Sequence, residues 1–128
     1  MRNPVGHIDL RVRDVAKALP FYAALLPELG YTGEFHGGDW KVFAADGELP
    51  AAAYFGFTES AAHVANENRI AFWVDGRDEV DRLAAVVQAA GGRDISGPNV
   101  MPYGPDYYAV YFADPSGNRF EIYHRLAG

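Results

Sequence analysis

His7-Ile8-Asp9-Leu10-Arg11-Val12-Arg13-Asp14, near the start of the chain, has a second copy at Arg69-Ile70-Ala71-Phe72-Trp73-Val74-Asp75. In both, aliphatic or aromatic residues take alternate positions, the period of a strand with one face in a core. Both end at an Asp suited to cap a helix, and both run into residues with helical apolar spacing. After the first copy, positions 15, 18, 19, 22, 25, 26 and 29 are apolar. They predict a helix over Val15–Leu29, with a kink or short final turn at Pro20 and Pro27 and a stop at Gly30. After the second, Val80, Leu83, Val86, Val87 and Ala90 form a stripe over Arg77–Ala90, which ends at Gly91-Gly92. The copies start at residues 7 and 69, roughly half of the 128-residue chain apart, so the repeat organises the whole chain. Their first residues differ, His in one and Arg in the other, and the functional reading turns on that difference.

Outward from the copies, Trp40–Ala45 and Ala51–Phe57 read as strands of a meander, bounded by Gly, Asp and Pro. Thr58–Asn68 is polar and aperiodic and reads as a linker. Ser96–Asp106, with three prolines and two glycines, reads as a loop able to cover a pocket. Tyr107–Ala113 and Arg119–His124 read as a hairpin joined by Asp114-Pro115-Ser116-Gly117. Each half is thereby β-α-β-β-β, and the expected fold class is α+β in a single domain. The modules span about 5–58 and about 69–125, with a linker over about 59–68, and form one curved mixed sheet around a central cleft with the helices outside. Ile8/Leu10/Val12 and Ile70/Phe72/Val74 face the helices, which turns His7, Asp9, Arg11 and Arg69, Ala71, Trp73 to the cleft. In the last strand Phe120 and Ile122 face the helix, which turns Glu121 and Tyr123 to the cleft.

Composition excludes several classes. Hydrophobic residues at 49% and aromatics at 14% argue for an ordered globule. A net charge of −6 offers no basic patch, which argues against nucleic acid or a membrane surface as partner. No apolar run is long enough to cross a bilayer, and Met1-Arg2-Asn3-Pro4 lacks the apolar stretch of a signal peptide, so a cytoplasmic protein is expected. The absence of cysteine excludes disulfides, a thiolate nucleophile and a Cys-type zinc site. No Ser-His-Asp arrangement, phosphate loop or nucleotide-binding glycine pattern occurs.

A carboxylate at Glu121, inside an aromatic-rich strand, is costly unless paired or ligated. His7 and Glu121 from opposite halves combine imidazole and carboxylate, which suits a divalent ion. Three stretches then carry a resemblance: His7–Asp14, Ile70–Asp75, and Asp114-Pro115-Ser116-Gly117-Asn118-Arg119-Phe120-Glu121-Ile122. With Phe21-Tyr22 in the first helix, they resemble the vicinal oxygen chelate superfamily of glyoxalases, extradiol dioxygenases and bleomycin- or fosfomycin-resistance proteins. Asp-Pro-x-Gly-Asn-x-x-Glu is that family's usual closing turn and final ligand. The resemblance spans nearly the whole chain and implies a homodimer of paired βαβββ modules. It also implies a divalent metal (Zn, Ni, Mn or Fe) held on the first and last strands of both halves. It gives His7 and Glu121 the role of metal ligands, with Glu121 also moving a proton as the catalytic residue. Arg69 falls where a second histidine is common. The remaining ligand belongs in Ala51–Phe57, which offers Tyr54 at best. Arginine stays protonated and has no lone pair to give, so the metal site is incomplete. An Arg69–Glu121 ion pair is expected to replace the metal's charge.

Asp9, Arg11, Arg69, Trp73, Tyr103, Tyr108 and Tyr123 are the expected substrate pocket for a small-molecule ligand. Trp40 is a further candidate for stacking, and Tyr107 for the aromatic lining. Pro102-Tyr103-Gly104-Pro105-Asp106-Tyr107-Tyr108-Ala109 resembles a loop of one superfamily branch that carries histidines beside its first tyrosine; here Pro102 and Gly104 take those places. His36 and His63 are expected in exposed loops, and His124 on the face opposite Glu121. No basic cluster suits the two carboxylates of glutathione, although Arg11 and Arg69 suit one anionic group. Two readings follow. One is a metal-free binder similar to the bleomycin-resistance proteins. The other is a divalent-metal-dependent lyase, isomerase or dioxygenase in which the ion at His7 and Glu121 acts as Lewis acid.

Overall fold

The first copy forms β1 (His7–Val12) and stops at Asp14, whose side chain accepts hydrogen bonds from the Ala16 and Lys17 backbone N–H groups. That cap starts α1 (Val15–Leu25), which tolerates Pro20 in its second turn. Pro27 then tightens the chain into a 3₁₀ turn (Leu26–Leu29), closed by Gly30 at φ 99°. β2 (Gly33–Gly37), β3 (Trp40–Ala44) and β4 (Tyr54–Glu59) complete a four-stranded sheet in the order β1-β4-β3-β2. β1 lies parallel to β4 and the other pairs are antiparallel. The computed structural model describes residues 4–45 and 52–126. The chain divides into two units, Met1–His63 and Val64–Gly128.

In the first unit α1 sets Phe21, Tyr22 and Leu25 into a core with Phe43, Phe55 and Phe57. The Tyr22 ring lies 4.6 Å from Phe57 and 5.3 Å from Phe55, so α1 is clamped onto β4 by aromatic contact.

The second unit repeats the order with β5 (Arg69–Trp73), α2 (Arg77–Ala89), β6 (Arg93–Val100), β7 (Tyr108–Ala113) and β8 (Arg119–His124). Its strands run β5-β8-β7-β6, with β5 parallel to β8. Val80, Leu83 and Val87 of α2 are fully buried, as are Val110, Phe120 and Ile122 of β7 and β8. Among the described residues, eight strands and two α-helices thus make up two four-stranded mixed sheets with their helices, an α+β fold of tandem βαβββ modules.

Several boundaries differ from expectation. Asp75 does not cap α2; Gly76 holds that position without a side-chain bond, and Asp78 and Glu79 supply negative charge to the first turn. β2 has no strong alternation, and four of its five residues are exposed. Thr58 and Glu59, read as linker, extend β4, and Glu59 Oε1 accepts the Val15 N–H at 3.0 Å, adding to the cap of α1. Ala51, expected in the same strand, lies outside the described residues. Ser96–Val100, read as loop, belongs to β6, an edge strand with two register shifts. An edge position tolerates Pro98, whose missing N–H breaks no interior ladder. Gly97 is required there: its φ is 96°, and a Cβ would sit 2.7 Å from the Ala109 carbonyl oxygen. No helix among the described residues is long and apolar enough to cross a membrane.

Candidate functional site: a buried carboxylate under tyrosines

Strand alternation places Arg69, Ala71 and Trp73 of β5 on one face of the second sheet. In register beside them are Arg119, Glu121 and Tyr123 of β8. Ala109, Tyr111 and Ala113 of β7 continue that face, with Tyr111 directly across the ladder from Glu121. Glu121 is only 7% exposed. A carboxylate so buried costs several kcal/mol of lost hydration unless donors meet it, and a hydrogen bond to a charged group returns about 1.5–3 kcal/mol. The Tyr107 hydroxyl donates to its Oε2. Burial first, and the bond to Glu121 second, push the Tyr107 phenol well above its ordinary range. Tyr111 is pushed up to about 12, chiefly by burial and then by the Glu121 charge, against an opposing effect of Arg69. Both phenols therefore stay protonated at neutral pH.

Above this floor the rings form a column. Tyr107 stacks on Tyr123 at 4.9 Å, Tyr123 on Trp73 at 6.0 Å, and Tyr103 meets Tyr107 edge-on at 5.5 Å. The Arg125 guanidinium lies 4.3 Å over Trp73, and Arg69 lies 5.0 Å over Tyr111. Such cation–π contacts contribute about 0.5–2 kcal/mol each and hold the guanidinium planes in place.

The corresponding face of the first unit carries His7, Asp9 and Arg11. His7 stacks on Tyr54 at 4.7 Å, and its Nε2 is 3.4 Å from Asp9 Oδ2. Arg11 lies 5.0 Å over Trp40, the same motif as Arg69 over Tyr111. Asp9 pairs in register with Gly56, as Ala71 pairs with Glu121. Gly56 is thus the first unit's counterpart of Glu121. A Cβ there would lie 3.5 Å from Asp9 Oδ1 and from Trp40 Cε3, and 3.6 Å from Tyr54 Cε2.

Three expectations need correction. Tyr108 is not on the Glu121 face: it is the register partner of His124, and its hydroxyl donates to Asp81 of α2. Arg69 shares a face with Glu121, but among the described residues the two form no ion pair; the guanidinium rests on Tyr111 instead. His36 lies in β2 and pairs with Glu34 at 2.9 Å. Tyr111 was missed, although the turn could have located it. Counting back from Asp114–Gly117, position 113 faces 119 and position 111 faces 121.

The family model for the Glyoxalase/Bleomycin resistance protein/Dioxygenase superfamily matches residues 5–122. This chain belongs to that superfamily. No curated protein matches it. Among solved structures, it is similar to a glyoxalase/bleomycin resistance protein from Albidiferax ferrireducens T118, with 25% identity, a TM-score of 0.77, and 94% of this chain and 98% of that one covered. A putative glyoxalase from Bacillus halodurans shares the fold with 22% identity, a TM-score of 0.77 and 96% coverage of each chain. The fosfomycin resistance protein FosX from Mesorhizobium loti does so with 21% identity, a TM-score of 0.69, and 98% and 95% coverage.

The superfamily resemblance implies a divalent metal, and the donor set here does not fit one. Arg69 cannot ligate, the counterpart of Glu121 is Gly56, and Glu121 already accepts from Tyr107. Among the described residues, no group of three His, Cys, Asp or Glu side chains is placed to hold a metal ion.

The raised phenols of this superfamily member have a measurable consequence. A group whose folded pKa is raised contributes stability that is complete below its unfolded value and lost as pH rises through the folded one. Tyr107 and Tyr111 should leave the melting temperature flat up to about pH 10, the ordinary phenol value, then lower it as pH climbs towards 12. Calorimetry from pH 8 to 12, on the native chain and on a Tyr107→Phe/Tyr111→Phe variant, reads this. Equal alkaline slopes for the two proteins would refute it.

Proposed function

We propose that this chain is a metal-independent binder of a small aromatic anion, held on the Glu121 face of its second module. The observation that carries the reading is Arg69 placed over the Tyr111 ring beside a Glu121 that accepts from Tyr107. With Glu121 engaged, Arg69, Arg119 and Arg125 set the charge of this face, and Trp73, Tyr123 and Tyr103 offer ring surface. A planar ligand with one acidic group matches both features: the rings bury its apolar area and a guanidinium takes its anion in a charge-assisted pair. The first module's sheet carries a similar combination of charge and ring surface in His7, Asp9, Arg11 and Trp40, a candidate contact set of its own. The assembly proposed is a homodimer in the cytoplasm.

Two measurements on the purified, tag-free protein test the reading. Elemental analysis should find far less than one metal ion per chain, and reconstitution with Zn, Ni, Mn or Fe should not create a His7- and Glu121-dependent site. Calorimetric titration with 2-naphthalenesulfonate should show binding, whereas 2-naphthylmethylammonium should show none. Stoichiometric metal that disappears in both His7→Ala and Glu121→Ala would instead establish the metal-dependent lyase, isomerase or dioxygenase reading.

A further inference from the structure

On the helix side of the second sheet, Asp106 sits in a cluster of charged groups that the binding face does not use. Its Oδ1 accepts from Arg77 Nε at 2.8 Å and also from Arg77 Nη2, and its Oδ2 lies 3.7 Å from His124 Nε2. Arg77 is the first residue of α2, and its guanidinium also lies 5.0 Å over Tyr108. The loop carrying Asp106 is pinned by two backbone bonds, Met101 N–H to the Tyr107 carbonyl and Leu126 N–H to the Pro105 carbonyl. Asp106 itself has φ 53°, a conformation that Asp and Asn tolerate better than most residues. The next residue, Tyr107, turns to the opposite face, donates to Glu121, stacks on Tyr123 and meets Tyr103. One peptide link therefore joins the outer ion cluster to the inner aromatic floor.

We infer that Asp106 is a positioning residue: gripped by Arg77 and His124, it sets the 101–107 loop so that Tyr107 reaches Glu121 and Tyr103 walls the ligand face. This rests on the binding reading above. His124 makes the grip sensitive to pH. Its Nδ1 lies 3.0 Å from the Val74 carbonyl oxygen, which can only accept, so Nδ1 carries a proton in either charge state. Nε2 then attracts Asp106 only when the ring is protonated; in the neutral ring its lone pair faces a carboxylate. The groups around His124 are Asp106 from the loop, Arg77 from α2 behind it, and Tyr108 across the ladder on β7, whose hydroxyl is tied to Asp81. Neutralising His124 removes one of the two cations on Asp106, so ligand affinity should be weaker with the ring neutral than with it protonated.

The test uses the full chain with ring-labelled tyrosines and 2-naphthalenesulfonate as probe. Asp106→Asn keeps the backbone preference and removes the charge. It should erase the Tyr107–Tyr123 ring contact seen by NMR in the free protein, weaken the probe about tenfold, and lower the melting temperature because the buried Glu121 loses its Tyr107 donor. Arg82→Gln, which breaks the exposed pair with Glu79 on the same helix, should change neither the ring contact nor the affinity. His124→Gln should flatten the pH dependence of probe affinity. An intact Tyr107–Tyr123 contact in Asp106→Asn, or a native pH profile in His124→Gln, overturns the inference. If the native protein fails to bind the probe, the binding reading falls, while the ring contact in the free protein still decides the role of Asp106.

Discussion

Asp114→Ala should destabilise the protein by about 3–5 kcal/mol, the cost expected for breaking a buried, fully bonded polar cluster. Asp114 is 0% exposed, at the turn between β7 and β8. Its Oδ1 accepts the N–H groups of Ser116 at 2.8 Å and Asn118 at 2.9 Å, and its Oδ2 accepts Asn118 Nδ2 at 2.9 Å. The Asp114 N–H also donates to the Asn118 carbonyl, and the Gly117 N–H to the Asp114 carbonyl. Alanine keeps those two backbone bonds but removes the three hydrogen bonds that the Asp114 carboxylate accepts in the closed turn. For a chain of this size the loss corresponds to a fall in melting temperature of roughly 10–20 °C. Asp114→Asn retains one acceptor oxygen for the backbone donors but sets amide against amide at Asn118, so its loss should be smaller. Urea denaturation of the three proteins measures the series, and an alanine variant within 1 kcal/mol of the native chain would discard this account of the turn. The effect reaches the site as well, because this turn fixes the register that sets Tyr111 opposite Glu121.

That register explains why part of the site was legible in the sequence. A tight turn with fixed pairing converts residue count into position, so the closing turn located Glu121 and Tyr123 and held enough information for Tyr111. The face of β5 followed in the same way, because strict alternation from Arg69 to Trp73 leaves one choice of side. Legibility failed where the chain leaves a regular period. Tyr107 and Tyr108 straddle the loop–strand boundary, so alternation could not say which of the two turns inward; the loop places Tyr107 there and leaves Tyr108 to Asp81. β6 was hidden by Gly97 and Pro98, residues that an edge strand accepts and an interior strand does not. The partner of Arg69 was misjudged for an energetic reason. An ion pair appeared the natural answer to a buried acid, but Tyr107 already serves Glu121, and a guanidinium on a ring face keeps much of its hydration. The Asp106 cluster joins a loop, a helix start and a strand end that are distant in sequence, and no local pattern signals it.

Arg69→Glu is expected to weaken 2-naphthalenesulfonate at least 100-fold, the largest effect on binding of any single change on this face. A hydrogen bond to a charged group contributes about 1.5–3 kcal/mol, and tenfold in affinity corresponds to about 1.4 kcal/mol, so removing the pair alone accounts for ten- to a hundredfold. The new carboxylate would then repel the probe's sulfonate, with Glu121 already on the same face. Arg69→Lys separates charge from shape. The ammonium keeps the positive charge but loses the guanidinium's delocalised contact with the Tyr111 ring and the forked donor geometry, so a loss of about three- to tenfold is expected. Titrations at low and high salt isolate the long-range component, which is screened beyond roughly 10 Å at 0.1 M salt, from the contact itself. Arg69 is exposed and forms no ion pair among the described residues, so the melting temperature should fall only by the loss of its cation–π contact with Tyr111, more in Arg69→Glu, which adds a carboxylate to the Glu121 face, than in Arg69→Lys. Native affinity in Arg69→Glu would remove the guanidinium on Tyr111 as the anion's contact, and with it the observation on which the proposed binding rests.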